Sequence, residues 1–391
     1  MIPPAHELAE VFRRHGARFR ERMGERLPVA CRRVMSAIEK CRTAALGGHM
    51  DRCTDCGHRA ISYNSCRNRH CPKCQGGSQL EWLADREGEL LPVPYFHVVF
   101  TIPDALLSDI AFQNKRLVYG LLFKASAATL LTIGRDSQHL GADVGFFGVL
   151  HTWGQNLLHH PHVHYVVPSG GLSRDRSRWI SCRKDFFLPV RVLSSLFRRL
   201  FLEGIAEAFR NGALRLEGAL APLADPRAFA ERLAQARAID WVVYVNAFGA
   251  PRNVLRYLSR YVQRVALSNR RILAVEEDVV RFLWRDSRHR NRQSVMSLPA
   301  HEFIRRFLLH VLPRGFRKVR HFGFLANRNR TKNIALCRQR ICQSPDVREL
   351  PLPAEAISAA TAKPRCTACG STSLVRTDLS SCRMEARLDS S

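Results

Sequence analysis

The sequence predicts an α/β (α+β) protein, with a central antiparallel sheet flanked by helices and preceded by a small zinc-binding module. Three observations predict it. Short runs rich in β-branched and aromatic residues recur with turn residues between them. Stretches with helical periodicity separate those runs, and residues 41–77 exchange aliphatic side chains for Cys, His, Gly, Asn and Arg. A segment of that composition cannot build an apolar core and folds only around metal. The 391 residues allow two or three domains. Five segments are expected: a helical extension (1–40), the zinc-binding module (41–80), the sheet domain (90–272), a basic region (273–350), and a linker with an incomplete zinc-ribbon-like tail (351–391).

Residues 5–45 read as amphipathic helix, because Leu8, Val11, Phe12, Phe19 and Met23 recur at near-helical spacing among charges. After the cysteine-rich segment, YFHVVFTIP (95–103) opens the sheet domain and a helical stretch follows near residues 112–133. Two further strands, VGFFGVLHTWG (144–154) and HPHVHYVVPSG (160–170), are separated by a short connection, as in an antiparallel hairpin. A helical region spans residues 190–237, and the strand WVVYV (241–245) leads through a turn at Gly249 into a helix with Pro251 in its first turn. That helix runs to about residue 267, a basic region with interleaved aromatics spans Arg281 to Lys332, and a Pro- and Ala-rich linker covers residues 351–364. No internal repeat is read.

The 61 Lys and Arg against 34 Asp and Glu give a net charge of +27, which seeks a polyanion, and nucleic acid fits better than lipid. The excess is mostly arginine, which suits bidentate phosphate contacts, although a GC-rich genome inflates arginine as well. No stretch approaches about 18 uninterrupted apolar residues, and the start MIPPAHELAEVFRRHG lacks the apolar core of a signal peptide. The protein is therefore expected to be cytoplasmic, associated with the nucleoid when bound to DNA, and to engage neither membrane nor small-molecule substrate. Thirteen cysteines in a reducing compartment point to metal ligation rather than disulfides.

His162 and His164 lie two apart in a strand, so both imidazoles project to one face while Val163 turns into the core. His151 sits on the preceding strand, where cross-strand pairing brings it to the same place. Three nitrogen ligands leave coordination positions open, as a Lewis acid acting on phosphate requires. His159 and His160 are assigned to the hairpin connection, solvated or facing DNA.

Tyr257 and Tyr261 are four residues apart on a helix, so both hydroxyls emerge from one face. A packing stripe is the ordinary reading of such a pair. Beside the histidines it also fits paired nucleophiles, since a tyrosyl oxygen can attack a phosphodiester and hold the DNA as phosphotyrosine. Arg256, Arg260 and Arg264 form a parallel row able to meet the DNA backbone.

Cys53-x2-Cys56 and Cys71-x2-Cys74, with fourteen residues between the pairs, make two knuckles of the kind that close a four-thiolate zinc site. Cys41, His49, Cys66 and His70 offer a second, interleaved site, or Cys66 and His70 replace members of the first. Arg67 and Arg69 beside these ligands turn the module toward DNA. Cys366-x2-Cys369 is half a knuckle with no partner pair after it, and stays unassigned. In GFRKVRHFGFLANRNRTKN (315–333), Arg317, Lys318 and Arg320 are read as DNA contacts among phenylalanines suited to base stacking, with Phe322 and Phe324 assigned to the core.

The ordered motifs NSCRNRHCPKC (64–74), FHVVFTIP (96–103), LHTWGQNLLHHPHVHYVVPSGG (150–171) and WVVYVNAFGAPRNVLRYLSRYVQRVALSNRRI (241–272) resemble the rolling-circle transposases of the insertion-sequence-91 family, two-tyrosine members of the HUH endonuclease superfamily. The resemblance implies that residues 90–272 are an HUH nuclease domain. It also implies His162 and His164 as ligands of Mg²⁺ or Mn²⁺, a third ligand at His151 or else Gln263, and Tyr257 and Tyr261 as nucleophiles. The implied reaction nicks single-stranded DNA at the element end through a 5′-phosphotyrosine and transfers the strand to target DNA. Competing readings are a non-catalytic zinc-dependent DNA-binding protein, and a plasmid replication initiator or relaxase with the same tyrosine chemistry. A zinc hydrolase of small substrates is disfavoured by the charge and by the absence of an HExxH motif. The oligomeric state is left open.

Overall fold

The computed structural model describes residues 4–74, 88–183, 187–251, 253–254, 266–286, 292–344, 350 and 364–379. In chain order its elements are α1 (Leu8–Met23), α2 (Val29–Lys40), β1 (Gly48–Cys53), β2 (Arg59–Tyr63), β3 (Tyr95–Thr101), α3 (Asp104–Gln113), α4 (Lys115–Arg135), β4 (Gly145–Trp153), β5 (His159–Pro168), β6 (Gly170–Leu172) and β7 (Trp179–Ser181). There follow α5 (Val190–Arg210), α6 (Pro226–Ala238), β8 (Val243–Gly249), β9 (Ile272–Val275), β10 (Val279–Asp286), β11 (Arg292–Pro299), α7 (Ala300–Leu309), β12 (Val319–Gly323), α8 (Arg330–Cys342) and β13 (Leu374–Leu379). This is the expected mixed α/β architecture, with antiparallel sheets flanked by helices.

The chain divides into two compact units, and neither is a continuous stretch. One gathers residues 1–80, 263–311 and 355–391; the other holds 81–262 and 312–354. The linear succession of five segments is therefore corrected: the basic region 273–350 is shared between both units, and the carboxy-terminal tail belongs with the amino terminus.

In the first unit, the expected single helix over residues 5–45 is two helices. Gly24 adopts a left-handed φ of 50°, which glycine reaches without steric cost, and Pro28 follows before α2 begins. Leu8, Val11, Phe12 and Phe19 of α1 are buried, as are Val34, Met35 and Ile38 of α2. Phe12 meets Phe307 of α7 edge to face at 5.6 Å. Much of the basic region is ordinary sheet, because β10 pairs antiparallel with both β9 and β11. A second sheet takes the order β13-β1-β2, so its strands come from both ends of the chain.

The second unit is built on a five-stranded antiparallel sheet ordered β12-β4-β5-β3-β8. Side chains alternate across its pleat. Val98, Phe100, Leu150, Val163, Tyr165 and Val167 enter one core with α3, α4, α5 and α6. Tyr95, Phe147, Val149 and Val166 enter the opposite one with Ile334, Cys337 and Ile341 of α8. By length and composition alone α4 is apolar enough to cross a membrane, but Val118, Tyr119, Leu122, Phe123 and Leu130 are all buried in the first core. Phe324 is core as expected, Phe322 packs against the core on the other face of the sheet, and Phe316 is buried in that same core.

Gly148 stands directly opposite Tyr165, and the tyrosine ring lies where a side chain would begin: a Cβ there would sit 2.4 Å from the ring. The ring is fully buried and its hydroxyl is 2.7 Å from Ser126 Oγ, so it has no room to swing away. Gly148→Ala is expected to destabilise this unit by about 1–3 kcal/mol through overpacking, read as an earlier denaturation midpoint. An unchanged midpoint would show that the ring yields.

Candidate metal centres and DNA-contacting residues

The sheet register assembles a histidine cluster. His151 of β4 pairs directly with His162 of β5, and the register shifts between His151 and Trp153, which marks a β-bulge at the end of the ladder. His162 and His164 share a face, so the three side chains converge, with their ligand nitrogens all within 4.8 Å of one another. His151 is 3% exposed and its ring stacks on Trp153 at 4.7 Å.

Hydrogen bonds fix how two of these rings are presented. The His160 carbonyl can only accept, so His162 donates from Nδ1 to it at 2.7 Å and keeps its lone pair on Nε2. His164 Nδ1 lies 2.8 Å from His97 Nε2, with the two rings parallel at an interplanar angle of 3°. His97 itself stacks on Phe248 of β8. An imidazole whose far nitrogen is anchored in this way presents the near one to a cation in a defined orientation.

Burial disfavours the charged form of His162 and His164. It pulls the pKa of His162 down to about 3, aided by the neighbouring His160, and that of His97 down to about 4. His164 is also pushed well below the ordinary range, first by burial and then by His151 and the other histidines. Neutral imidazoles have a lone pair to give, and a borderline nitrogen donor set with three members fits a divalent transition ion with positions left open.

The neighbouring histidines are placed differently from expectation. His159 is the first residue of β5 and buried, held between Ser108 Oγ at 2.9 Å and the Tyr119 hydroxyl at 2.7 Å. It is a structural residue, neither solvated nor DNA-facing. His160 pairs with Asp104. His97 was overlooked in the sequence because it sits alone in an apolar run. Only the β3–β5 register, Val99 opposite His164 and Thr101 opposite His162, puts it on the cluster's face.

Tyr257, Tyr261, Gln263, Arg256, Arg260 and Arg264 lie outside the described residues. What precedes them is clear. β8 pairs with the His97 strand and ends at Gly249, φ 70°, and helical residues resume at Pro251. Arg317 and Arg320 line a cleft of about 350 Å³ with Arg116, His321 and Asn327. The Arg320 guanidinium lies over the rings of Phe123 and Phe316, at 4.4 and 5.1 Å. Lys318 joins the sheet edge, its carbonyl accepting from Leu150 N–H at 2.8 Å.

The four-cysteine set expected from the sequence does not assemble. Cys71 and Cys74 join Cys41 and Cys66, whereas Cys53 and Cys56 lie with Cys366 and Cys369. In the first group Cys74 Sγ is 3.5 Å from both Cys41 and Cys66. Four thiolates around zinc at about 2.3 Å stand about 3.8 Å apart, so this is close to a tetrahedral edge. The interleaved second site is corrected with it. Cys41 and Cys66 are members, while His49 is near Asp51 (3.7 Å) and His70 is outside the group. The physical reason is the β1–β2 hairpin, which holds Cys53 and Cys56 at its turn and carries the chain back toward Cys41 before Cys66 is reached. Arg67, at a left-handed φ of 49°, is exposed; Arg69 is half-buried, which lowers its pKa.

The chain thus combines an antiparallel sheet bearing three convergent histidines, two cysteine groups able to hold a metal ion, and a net charge of +27, the features of a metal- and polyanion-binding protein. Residues 145–333 match a family described as "Putative transposase", and residues 11–102 match one described as "Transposase zinc-binding domain". The chain is 55% identical over 350 residues to "Putative transposase y4qJ" of Sinorhizobium fredii, covering 89% of this chain and 86% of that one. It is 28% identical over 305 residues to "Transposase for insertion sequence element IS801" of Pseudomonas savastanoi pv. phaseolicola, covering 74% and 68%. No solved structure matches. The chain belongs to the insertion-sequence-91 family of transposases, with an amino-terminal zinc-binding domain, and DNA is its partner.

If the histidine cluster holds a divalent ion and His97 orients His164, His97→Ala should weaken Mn²⁺ binding about 10–100-fold, measured by titration calorimetry at a temperature where the variant is still folded by its thermal melt. Undiminished affinity would reduce His97 to a packing residue.

Proposed function

We propose that this transposase nicks single-stranded DNA at the ends of its element and transfers the strand to target DNA by rolling-circle chemistry, forming a 5′-phosphotyrosine on Tyr257 or Tyr261. The observation that carries the reading is the convergence of His151, His162 and His164 on one face of the sheet, with His164 oriented by His97 and His162 by the His160 carbonyl. A divalent ion, Mg²⁺ or Mn²⁺, held by those three residues supplies Lewis-acid neutralisation of charge on the scissile phosphate.

The rest falls to the chain's own residues. A tyrosyl oxygen attacks phosphorus, the bond from phosphorus to the 3′ oxygen breaks, and the departing strand leaves as a 3′-hydroxyl after taking up a proton. The 5′ end stays on the enzyme, so the energy of the phosphodiester is kept for rejoining. A second tyrosine four residues along the chain can accept a second strand while the first remains loaded. Arg256, Arg260 and Arg264 on that segment, Arg67 and Arg69 in the zinc-binding module, and Arg317, Lys318 and Arg320 at the edge of the sheet supply cations for the backbone. Zinc in the module is structural.

The test is a denaturing gel of the protein with labelled single-stranded DNA from its own element end, with Mg²⁺ or Mn²⁺ and with EDTA. A covalent adduct that needs metal and is lost in the Tyr257→Phe, Tyr261→Phe double variant is expected. Each single variant should still make a first cut but fail to complete transfer. Tight binding without an adduct, under both metals and with several end sequences, would replace this reading by zinc-dependent DNA binding without catalysis.

A further inference from the structure

The zinc-binding family match ends at residue 102, yet a cysteine cluster draws half its members from the far end of the chain. We propose that Cys53, Cys56, Cys366 and Cys369 hold a second structural zinc, which clasps the two ends of the chain into one module and makes residues 364–379 an obligatory part of it.

The strongest support is that the two halves are the same device. CTDCG (53–57) and CTACG (366–370) share four of five residues. Their backbones match as well. In the first, Gly57 N–H donates to the Cys53 carbonyl at 3.0 Å and Cys53 N–H to the carbonyl of His58 at 2.9 Å. In the second, Gly370 N–H donates to the Cys366 carbonyl at 2.9 Å and Cys366 N–H to the carbonyl of Ser371 at 2.7 Å. Gly57 and Gly370 take the same left-handed turn, at φ 73° and 76°. Each is a tight knuckle that sets two thiols on one side, and two facing knuckles complete a tetrahedron.

The sulfurs face each other. Cys53 Sγ is 3.6 Å from Cys369 Sγ, and Cys56 Sγ is 3.6 Å from Cys366 Sγ, again near the about 3.8 Å edge of a zinc–thiolate tetrahedron. Around them the two segments dock by contacts that need no metal. β1 and β13 pair over six residues, from Gly48 opposite Leu379 to Cys53 opposite Leu374. Arg376 makes a forked ion pair with Asp51 at 2.7 and 2.9 Å, and Thr54 N–H donates to the Ser373 carbonyl at 3.0 Å. The three-stranded sheet that the two segments complete offers little apolar burial: Ile61 and Tyr63 of β2 and Val375 of β13 are exposed. A sheet so poor in core needs the metal to outweigh the entropy of bringing together segments more than 300 residues apart in sequence. Four thiolates in a tetrahedral arrangement suit zinc.

The wild-type chain gives the first test. Cys56, Cys369 and Cys342 are all exposed thiols, so without metal all three should react with iodoacetamide alike. In the zinc-loaded protein, Cys56 and Cys369 are expected to label at least tenfold more slowly than Cys342, by mass spectrometry, and to catch up after chelation. Equal rates before chelation would overturn the proposal. The second test counts zinc released by a thiol-specific mercurial, which leaves histidine-held metal aside. The wild type should release two per chain. Cys366→Ser, Cys369→Ser should release one; so should Cys53→Ser, Cys56→Ser; and all four substitutions together should still release one, because both pairs serve one site. One zinc from the wild type, or two from either double variant, would sink the clasp.

Discussion

The two-residue repeat of an antiparallel strand is the constraint on which the catalytic reading depends. Because β3, β4 and β5 pair in a fixed register, His97, His151, His162 and His164 fall on one face of the pleat. The alternating residues Phe100, Leu150, Val163 and Tyr165 fill the core behind them. A slip of one residue in β5 would exchange the two sets, burying imidazoles among phenylalanines and exposing Val163 and Tyr165. The apolar core is thus what enforces the geometry of the polar cluster. Gly148, which makes room for the Tyr165 ring, and Ser126, which engages its hydroxyl, belong to the site's support as much as His97 does.

The two compact units answer the problem of stability in different ways. The unit that carries the histidine cluster buries long helices on its sheet, including the markedly apolar α4, and has cores on both faces. The zinc-bearing part of the other unit is a three-stranded sheet with exposed apolar side chains and two thiol clusters. Where apolar area is lacking, metal–thiolate bonds are the strong interactions left to a short polar segment. That explains why the cysteines concentrate where the aliphatic residues do not.

Much of the histidine-bearing face was legible from the sequence because it rests on local rules. Strand alternation gave the His162–His164 pair, hairpin logic brought in His151, and the Gly249 and Pro251 signals marked the passage from β8 to the next helix. His97 and His159 were not legible. Their roles depend on which strand residue lies opposite which, and on Ser108 and Tyr119 of α3 and α4 reaching the start of β5.

The sequence by itself determined the class of fold, the family, the presence of metal-binding cysteines and the strand that carries two histidines, because each rests on spacing within a few residues. Only the tertiary structure decided which cysteines share a site. Spacing along the chain favoured Cys53 and Cys56 with Cys71 and Cys74, but the β1–β2 hairpin separates those pairs and the β1–β13 pairing brings in Cys366 and Cys369. Ligand sets are chosen by distance in space. When the partner knuckle lies at the other end of the chain, sequence proximity carries no information about it.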